Sequence, residues 1–189
     1  MDKKIYLASK SPRRQELLKL MGYNFELLLK EVDESYPDDL PLLEVAAYIS
    51  DVKADAFDVK QGEIIITSDT VVIINNELLG KPKDPNDAFK MLSKLNGNTH
   101  LVVTAVTLKS VKKSKTFSQT TKVTFSKLTD DQLWFYISNF NPTDKAGSYG
   151  IQDWIGMVGV SSIDGSYTNV MGLPTEKLNQ ELLLFLEDN

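Results

Sequence analysis

Segments typical of strands and segments typical of helices alternate along most of this chain of 189 residues, and that order limits the fold more than any other feature. Runs of β-branched and aromatic residues predict strands at residues 5–8, 25–29, 63–67, 102–109 and 115–125. Amphipathic spacing and capping signals predict helices at residues 12–21, 42–57, 85–95, 129–140 and 174–186. The alternation predicts the α/β class.

Hairpins are expected in addition to these elements. The predicted pairs of strands, each with its turn, are 71–74 with 78–79 around Asn75-Asn76, and 161–163 with 167–170 around Asp164-Gly165. Hairpins pair strands in opposite directions, so the sheet should be mixed rather than purely parallel.

Composition is that of an ordinary globular protein, with 42% hydrophobic and 25% charged residues, and the length suits one domain over residues 1–189. No apolar run approaches the length of a membrane span, and the first residues lead into a strand without a signal-peptide pattern. We therefore expect a cytoplasmic protein without a membrane partner. The net charge of −5 argues against non-specific binding of nucleic acid.

Several catalytic devices are excluded by the residue types that the chain lacks. There is no cysteine, and His100 is the only histidine, so thiolate nucleophiles and multi-histidine metal sites are ruled out. We expect His100 at the surface or satisfied in a core. Neither a GxxxxGK[ST] phosphate loop nor a GxGxxG turn occurs. Carboxylates, lysines, two arginines, hydroxyls and a bound hard cation remain for chemistry.

The segment at residues 9–14 has the strongest local signal. Ser9 and Ser11 lie where a strand ends and a helix begins, and backbone N–H groups at such a turn attract an anion. Arg13 and Arg14, the chain's only arginines, follow at a helix start that disfavours cations. Because the planar guanidinium suits oxyanions better than lysine does, these four residues favour phosphate binding over a solvated helix start.

Acidic residues form the second signal. Glu31, Asp33 and Glu34 follow the strand at 25–29, and Asp69 closes a buried strand just before Thr70. A carboxylate at a strand end can bind a metal or act as a base, because such ends open onto clefts in α/β sheets. A solvated loop and a turn-forming aspartate are the alternatives.

Weaker signals come from lysines and from a glycine-rich segment. Lys53 lies on a predicted helix, and Lys81 and Lys83 follow the first hairpin, but lysines are more often surface charges than ligands. Residues 147–152 are punctuated by glycines and end in Gln152, whose amide can both donate and accept. Taken alone, this segment is better explained as a tight structural turn.

Taken together, these segments resemble the Maf family of nucleotide pyrophosphatases. The matching blocks, in the family's order, are residues 9–14, 31–34, 69–70, 80–82, 145–152 and 172–174. Their order and spacing agree with the family from residue 7 to about residue 183, and the six blocks together are specific where none is alone. One departure is Asp153, followed by Trp154, where the family often has glycine after the glutamine.

The resemblance implies a fold similar to inosine triphosphate pyrophosphatases, with a long bent mixed sheet and flanking helices in two lobes around a cleft. It further implies a homodimer that binds a divalent cation, Mg²⁺ or Mn²⁺, and cleaves a nucleoside triphosphate to monophosphate and pyrophosphate. Asp69 would be the general base and, with Glu31, a metal ligand. Lys53 and Lys81 would bind phosphates. So would Ser9, Ser11 and Arg14 of the segment at residues 9–14, which we name the opening turn.

Substrate choice is also implied by the resemblance. Arg13, Thr70 and Gln152 match the trio of the branch that acts on dTTP and UTP. Uracil and thymine present a carbonyl acceptor beside an N–H donor, and a glutamine amide pairs with both. A pyrophosphatase selective for purine or modified nucleotides and a non-catalytic nucleotide-binding regulator of septum formation remain as alternatives.

Overall fold

The structure, a computed structural model, describes residues 3–187 and divides into two compact units. Unit 1 runs to Asp69 and also contains Thr104–Gln119 and the chain from Gly172 onward. Unit 2 contains Thr70–Val103 and Thr120–Met171. Within residues 3–187 no helix has the length and apolar character that crossing a membrane requires. The assignment of residues 1–189 to a single domain stays a prediction.

Seven strands and their flanking helices, all within the described residues, are arranged as a mixed α/β fold. The strands are β1 Lys4–Leu7, β2 Glu26–Leu27, β3 Glu63–Ile74, β4 Glu77–Leu79, β5 Thr99–Lys109, β6 Ser114–Phe125 and β7 Val160–Asp164. The α-helices are α1 Pro12–Leu20, α2 Val45–Asp55, α3 Pro85–Leu95, α4 Asp130–Phe140, α5 Trp154–Gly159, α6 Tyr167–Met171 and α7 Thr175–Glu187. Short 3₁₀ turns occupy Leu42–Glu44, Pro142–Asp144 and Ala146–Ser148. The sheet order is β2-β1-β3-β5-β6-β7, with β4 paired to β3.

The parallel strands lie in unit 1. There β1 pairs in parallel with β2 and with β3, and Ile5 is opposite Ile64. The run Ile64-Ile65-Ile66 is almost fully buried, as expected of a parallel strand covered on both faces. The helices α1, α2 and α7 supply the buried residues Leu18, Ala46, Ile49, Leu178, Leu182 and Phe185.

Unit 2 contains antiparallel pairs and its own apolar core. The strands β3 and β4 form the predicted hairpin, and Asn75 and Asn76 have φ angles of 49° and 59°, which the favoured two-residue hairpin turn requires. The strands β6 and β7 are also antiparallel, with an irregularity between Thr124 and Phe125. The core includes buried residues of α3, α4 and α5, among them Leu92, Leu95, Leu133, Tyr136 and Ile155.

Helix starts agree with the sequence prediction. Ser11 accepts a hydrogen bond from the Arg14 N–H at 3.5 Å, and Asp84 accepts one from Asp87 N at 2.9 Å. Thr129 and Gln132 form the predicted reciprocal capping box of α4. These caps satisfy N–H groups that a helix start leaves unpaired.

The second predicted hairpin is wrong. Residues 160–164 do form a strand, but it pairs with β6, and Tyr167–Met171 is the helix α6. The backbone turns into a helix because Ser166 Oγ accepts from Asn169 N at 3.2 Å, and the buried Asn169 amide donates to the Val102 carbonyl at 3.0 Å. An Asp-Gly pair favours a turn, but these capping and anchoring bonds determine the conformation of the residues after that turn.

Other predicted boundaries need smaller corrections. The strand at 25–29 shortens to two residues, and the helix at 42–57 begins with a 3₁₀ turn and ends at Asp55. Residues 63–67 and 71–74 belong to one continuous strand, β3. The predicted fold class, α/β with a mixed sheet and flanking helices, is confirmed.

Candidate active site

Asp69 lies within β3, and its carboxylate is largely buried, with a side chain that is 13% exposed. Lys53 on α2 donates to Asp69 Oδ1 at 2.7 Å and forms a second ion pair with Glu34 Oε1 at 2.9 Å. One ammonium group therefore joins two carboxylates from different segments of unit 1. Of the predicted residues, the structure brings Asp69 and Lys53 into direct contact.

Hydroxyl groups hold α2 in register with β3. Thr67 Oγ1 donates to the Ser50 carbonyl at 2.7 Å, and the two hydroxyl oxygens lie 3.3 Å apart. Ser50 precedes Lys53 by three residues on α2, so the two side chains lie on the same face of that helix. Thr67 precedes Asp69 by two residues on β3, so these side chains lie on the same face of that strand. The Ser50–Thr67 bonds therefore place Lys53 opposite Asp69. Neither hydroxyl residue is among those predicted from the sequence.

In the opening turn, the serine hydroxyl groups accept hydrogen bonds from backbone N–H groups of the same segment. Ser9 is buried, and its Oγ accepts from the Ser11 N–H at 3.2 Å. Ser11 caps α1, and Gln15 Nε2 donates to the Ser9 carbonyl at 3.2 Å. Arg13 is partly buried. These hydrogen bonds stabilise the conformation of the turn and already engage the N–H groups of Ser11 and Arg14.

Arg14 contacts backbone carbonyls within unit 1. Its Nε donates to the Gly172 carbonyl and its Nη1 to the Ser68 carbonyl, both at 2.8 Å. Desolvation lowers the pKa of the Arg14 guanidinium, and the negative charge of Asp69 opposes that shift. Arginine remains charged in proteins regardless. Arg14 thereby positions the strand immediately before Asp69 and adds positive charge beside that carboxylate.

The acidic loop forms ion pairs with two lysines. Glu31, a predicted metal ligand, lies 3.6 Å from Lys10, and both side chains are exposed. Glu34 instead shares the Lys53 ammonium with Asp69. Among the residues that the structure describes, no group of three or more His, Cys, Asp or Glu side chains could hold a metal ion. The carboxylates of Asp69 and Glu34 both contact the Lys53 ammonium. Such a pair suits Mg²⁺, which commonly takes one or two protein carboxylates.

Unit 2 contains the other predicted binding residues. Thr70 is partly buried and directly follows Asp69, and Lys81 is exposed after β4. Gly147 N donates to the Gly80 carbonyl at 3.0 Å, which joins the Lys81 segment to the glycine-rich segment. A methyl group on Gly147 would lie 3.0 Å from Val72, so this close approach requires glycine.

Gln152 is partly buried, and its side-chain oxygen is buried without a hydrogen-bond partner among the described residues. Leaving such an acceptor unsatisfied costs about 1–3 kcal/mol. An N–H donor on a ligand would remove that cost. The acceptor is thus available to such a donor, and the role of Gln152 in binding a nucleobase stays a prediction.

His100, expected at the surface or satisfied in a core, is buried in unit 2, but its Nδ1 has no hydrogen-bond partner among the described residues. Its Nε2 lies 2.7 Å from Tyr149 Oη, and its ring contacts Phe125 edge to face. Burial lowers the pKa of His100 to about 4, so the imidazole is neutral at physiological pH. The residue is part of the core.

Solved structures similar to this one place the fold in the class of Ham1 proteins. The Staphylococcus aureus Ham1 protein matches 95% of this chain and 100% of its own, with a TM-score of 0.52 and 17% identity. A HAM1 protein from Coxiella burnetii matches 96% of this chain and 98% of its own, with a TM-score of 0.50 and 12% identity. At these identities the likeness concerns the fold alone.

Sequence comparison then identifies the family. The family model described as Maf-like protein matches residues 4–185. A protein of Flavobacterium psychrophilum named dTTP/UTP pyrophosphatase is 52% identical over 95% of this chain and 93% of its own. A protein of the same name from Bacteroides thetaiotaomicron is 45% identical over 96% of each chain. The chain belongs to the Maf family, as its motifs predicted.

Proposed function

We propose that this protein hydrolyses nucleoside triphosphates, with dTTP and UTP as its substrates, to nucleoside monophosphate and pyrophosphate. The observation that carries the proposal is the Lys53 ammonium held between Asp69 and Glu34, since it fixes a largely buried carboxylate in place. The names of the relatives, dTTP/UTP pyrophosphatase, support the same reaction.

Asp69 acts as the general base in this proposal. Its carboxylate accepts a proton from a water molecule whose oxygen attacks the α-phosphorus. The bond from the α-phosphorus to the oxygen that bridges to the β-phosphate breaks, and pyrophosphate leaves with that electron pair. Such reactions depend mostly on positioning and neutralisation of charge, which Lys53, Arg13 and the opening turn supply.

A divalent cation, Mg²⁺ or Mn²⁺, is part of the proposal. Asp69 and Glu34 would hold it together with the substrate phosphates, and Glu31 is the further ligand that the family resemblance implies. When bound, such a cation neutralises phosphate charge and lowers the pKa of a coordinated water. Lys53 would then hold the two carboxylates in place beside the cation.

Recognition of the base is assigned to Gln152, with Thr70 and Arg13 as the other members of the implied trio. The buried side-chain oxygen of Gln152 accepts from the N–H of uracil or thymine, and the amide N–H₂ donates to the adjacent carbonyl. Lys81 and Ser11 bind phosphate oxygens. We further propose that the protein is a cytoplasmic homodimer.

Release of pyrophosphate from a panel of dTTP, UTP, dCTP, dATP and dGTP tests the function, with Mg²⁺, with Mn²⁺ and with excess chelator. We expect pyrophosphate, not orthophosphate, as the first product from dTTP and UTP. Orthophosphate as first product, or unchanged turnover in chelator, contradicts the proposal. Preference for purines would favour a purine-selective pyrophosphatase, and binding of dTTP without turnover would favour a non-catalytic regulator.

A further inference from the structure

One hydroxyl group closes the turn that carries Gln152, which we name the Gln152 turn and define as residues 150–153. Gly150 N–H donates to Tyr136 Oη at 3.0 Å, and the Tyr136 O–H donates to Asp153 Oδ2 at 2.8 Å. Asp153 N also donates to the Gly150 carbonyl at 3.0 Å. Both ends of the turn are therefore fixed to a single side chain of α4.

Asp153 is the N-cap of α5, yet its side chain makes no capping hydrogen bond to that helix. An aspartate at this position ordinarily accepts from a backbone N–H of the first helical turn, at a gain of about 1 kcal/mol. Here the carboxylate faces the Tyr136 hydroxyl instead, with the Lys145 ammonium 3.8 Å away. The side chain stabilises the Gln152 turn rather than its own helix.

The fit between the Asp153 carboxylate and the turn is close. A Cβ atom placed on Gly150 would lie 2.5 Å from Asp153 Oδ2 and 2.8 Å from its Cγ. A side chain at residue 150 would displace the carboxylate from Tyr136.

The Tyr136 side chain is a rigid anchor. It is fully buried, and its ring stacks on that of Phe140. Burial raises the pKa of the Tyr136 phenol far above its ordinary value, so the hydroxyl keeps the proton that it donates to Asp153. The turn is thus held by a group that can neither ionise nor move easily.

This arrangement explains how Gln152 keeps a buried acceptor that no described residue satisfies. An amide on a mobile turn would rotate toward water and satisfy that oxygen. Because residues 150 and 153 are both bonded to Tyr136, the backbone on either side of Gln152 is fixed. A ligand that donates to the buried oxygen would remove the cost of leaving it unsatisfied.

We propose that Tyr136 and Asp153 are positioning residues that fix the Gln152 amide for selection of the nucleobase. The inference deepens the proposed function and rests on it. Uracil and thymine offer a donor where cytosine offers an acceptor, so a rigid amide discriminates between them and a loosened one does so less. The expected effect is therefore on selectivity between dTTP and dCTP, more than on the chemical step.

The test is the ratio of kcat/KM for dTTP to that for dCTP in wild type, Tyr136→Phe, Asp153→Ala and Asp153→Asn. We expect Tyr136→Phe and Asp153→Ala to lower the ratio about ten- to hundredfold, mainly through KM for dTTP, as misplacement of a binding group does. Asp153→Asn keeps an oxygen that can accept from Tyr136 and should retain most of the selectivity.

Tyr149→Phe is the matched control. It also removes a buried tyrosine hydroxyl from the core of unit 2, but that hydroxyl bonds to His100 and not to the Gln152 turn. This variant measures the general cost of a lost buried hydroxyl and should keep the wild-type ratio.

The outcomes separate the inference from the proposed function. A folded Tyr136→Phe protein with the wild-type ratio overturns the inference, and so does an equal loss of selectivity in Tyr149→Phe. If Tyr136→Phe does not fold, the ratio for Asp153→Ala decides. Absence of pyrophosphate release by wild type overturns the proposed function, and the inference fails with it.

Discussion

Ser50 on α2 and Thr67 on β3 contact each other through a hydroxyl pair at 3.3 Å and a bond from the Thr67 hydroxyl to the Ser50 carbonyl at 2.7 Å. Both residues are fully buried. Three residues beyond Ser50 is Lys53, and two beyond Thr67 is Asp69, whose side chains meet at 2.7 Å. The buried pair therefore sets the geometry of an ion pair nearer the surface.

Substitution Ser50→Ala should weaken both folding and turnover. It removes a hydroxyl shared with Thr67 and Thr107, at about 1–3 kcal/mol of unfolding free energy for buried polar groups left unpaired. Turnover should fall because Lys53 loses register with Asp69. Urea unfolding and steady-state kinetics measure the two effects. Ser93→Ala, at an exposed serine whose hydroxyl donates to a carbonyl of its own helix, is the control and should change neither.

The substitution Asp69→Asn tests the general base. The amide keeps the shape of the carboxylate and can still accept from Lys53, but it takes no proton from water, so kcat should drop by about 10²-fold or more. The free energy of unfolding should change little, because the side chain contacts Lys53 rather than the apolar core. Wild-type turnover in a folded Asp69→Asn protein would remove Asp69 from the mechanism.

The alternation of elements could be predicted from sequence because periodicity and caps are local signals. Ser11, Asp84 and Thr129 indicate helix starts within three residues of sequence, and each caps as expected. The failure at residues 167–170 has a different cause, because the Ser166 cap of α6 is local but does not act alone. Asn169 is held by residues that lie far from it in sequence, and no local pattern contains those bonds.

In the candidate site too, some residues could be predicted from the sequence, whereas some contacts could not. Lys53 and Asp69 could be proposed because the family resemblance implies a role for each, but residue type alone does not reveal that Glu34 rather than Glu31 shares the Lys53 ammonium. Nor does it reveal that the Asp153 side chain faces Tyr136 instead of capping α5. Both depend on packing between segments that are distant in the chain, which local propensity does not encode.

His100 should make the stability of the protein depend on pH. Burial lowers its folded pKa to about 4, below the unfolded value of 6.5, so between these values the unfolded chain binds more protons. Stability from this residue is complete above about pH 6.5 and falls as the pH drops toward 4, by about 3 kcal/mol in all. Urea unfolding from pH 7.5 to 4 measures it. His100→Gln should be less stable at pH 7 and show a flatter profile, and an equally steep profile would assign the dependence to other groups.

The two adjacent arginines should respond to substitution in opposite ways. Arg14→Ala leaves the Gly172 and Ser68 carbonyls without their guanidinium donor, so we expect a loss of about 1–3 kcal/mol in unfolding free energy without nucleotide. Arg13→Ala removes a cation from a helix start that disfavours it and should leave the empty protein unchanged or slightly more stable.

In the presence of dTTP and metal, the order of the effects of the two substitutions on stability should change. Arg13→Ala should lose stabilisation by nucleotide, at about 1.5–3 kcal/mol for a charge-assisted hydrogen bond. Arg13→Lys should not restore it, because an ammonium cannot reproduce the planar fork.

Thermal unfolding with and without nucleotide, together with kcat/KM, separates the two arginines. The matched pair of Arg13→Ala and Arg14→Ala removes the same charge from neighbouring positions, so net charge cannot explain a difference between them. If Arg13→Ala binds and turns over dTTP like wild type, Arg13 has no part in binding the substrate. Equal destabilisation of the empty protein by both substitutions would show that the carbonyl contacts of Arg14 contribute nothing particular to folding, and its guanidinium would then be assigned to the phosphates alone.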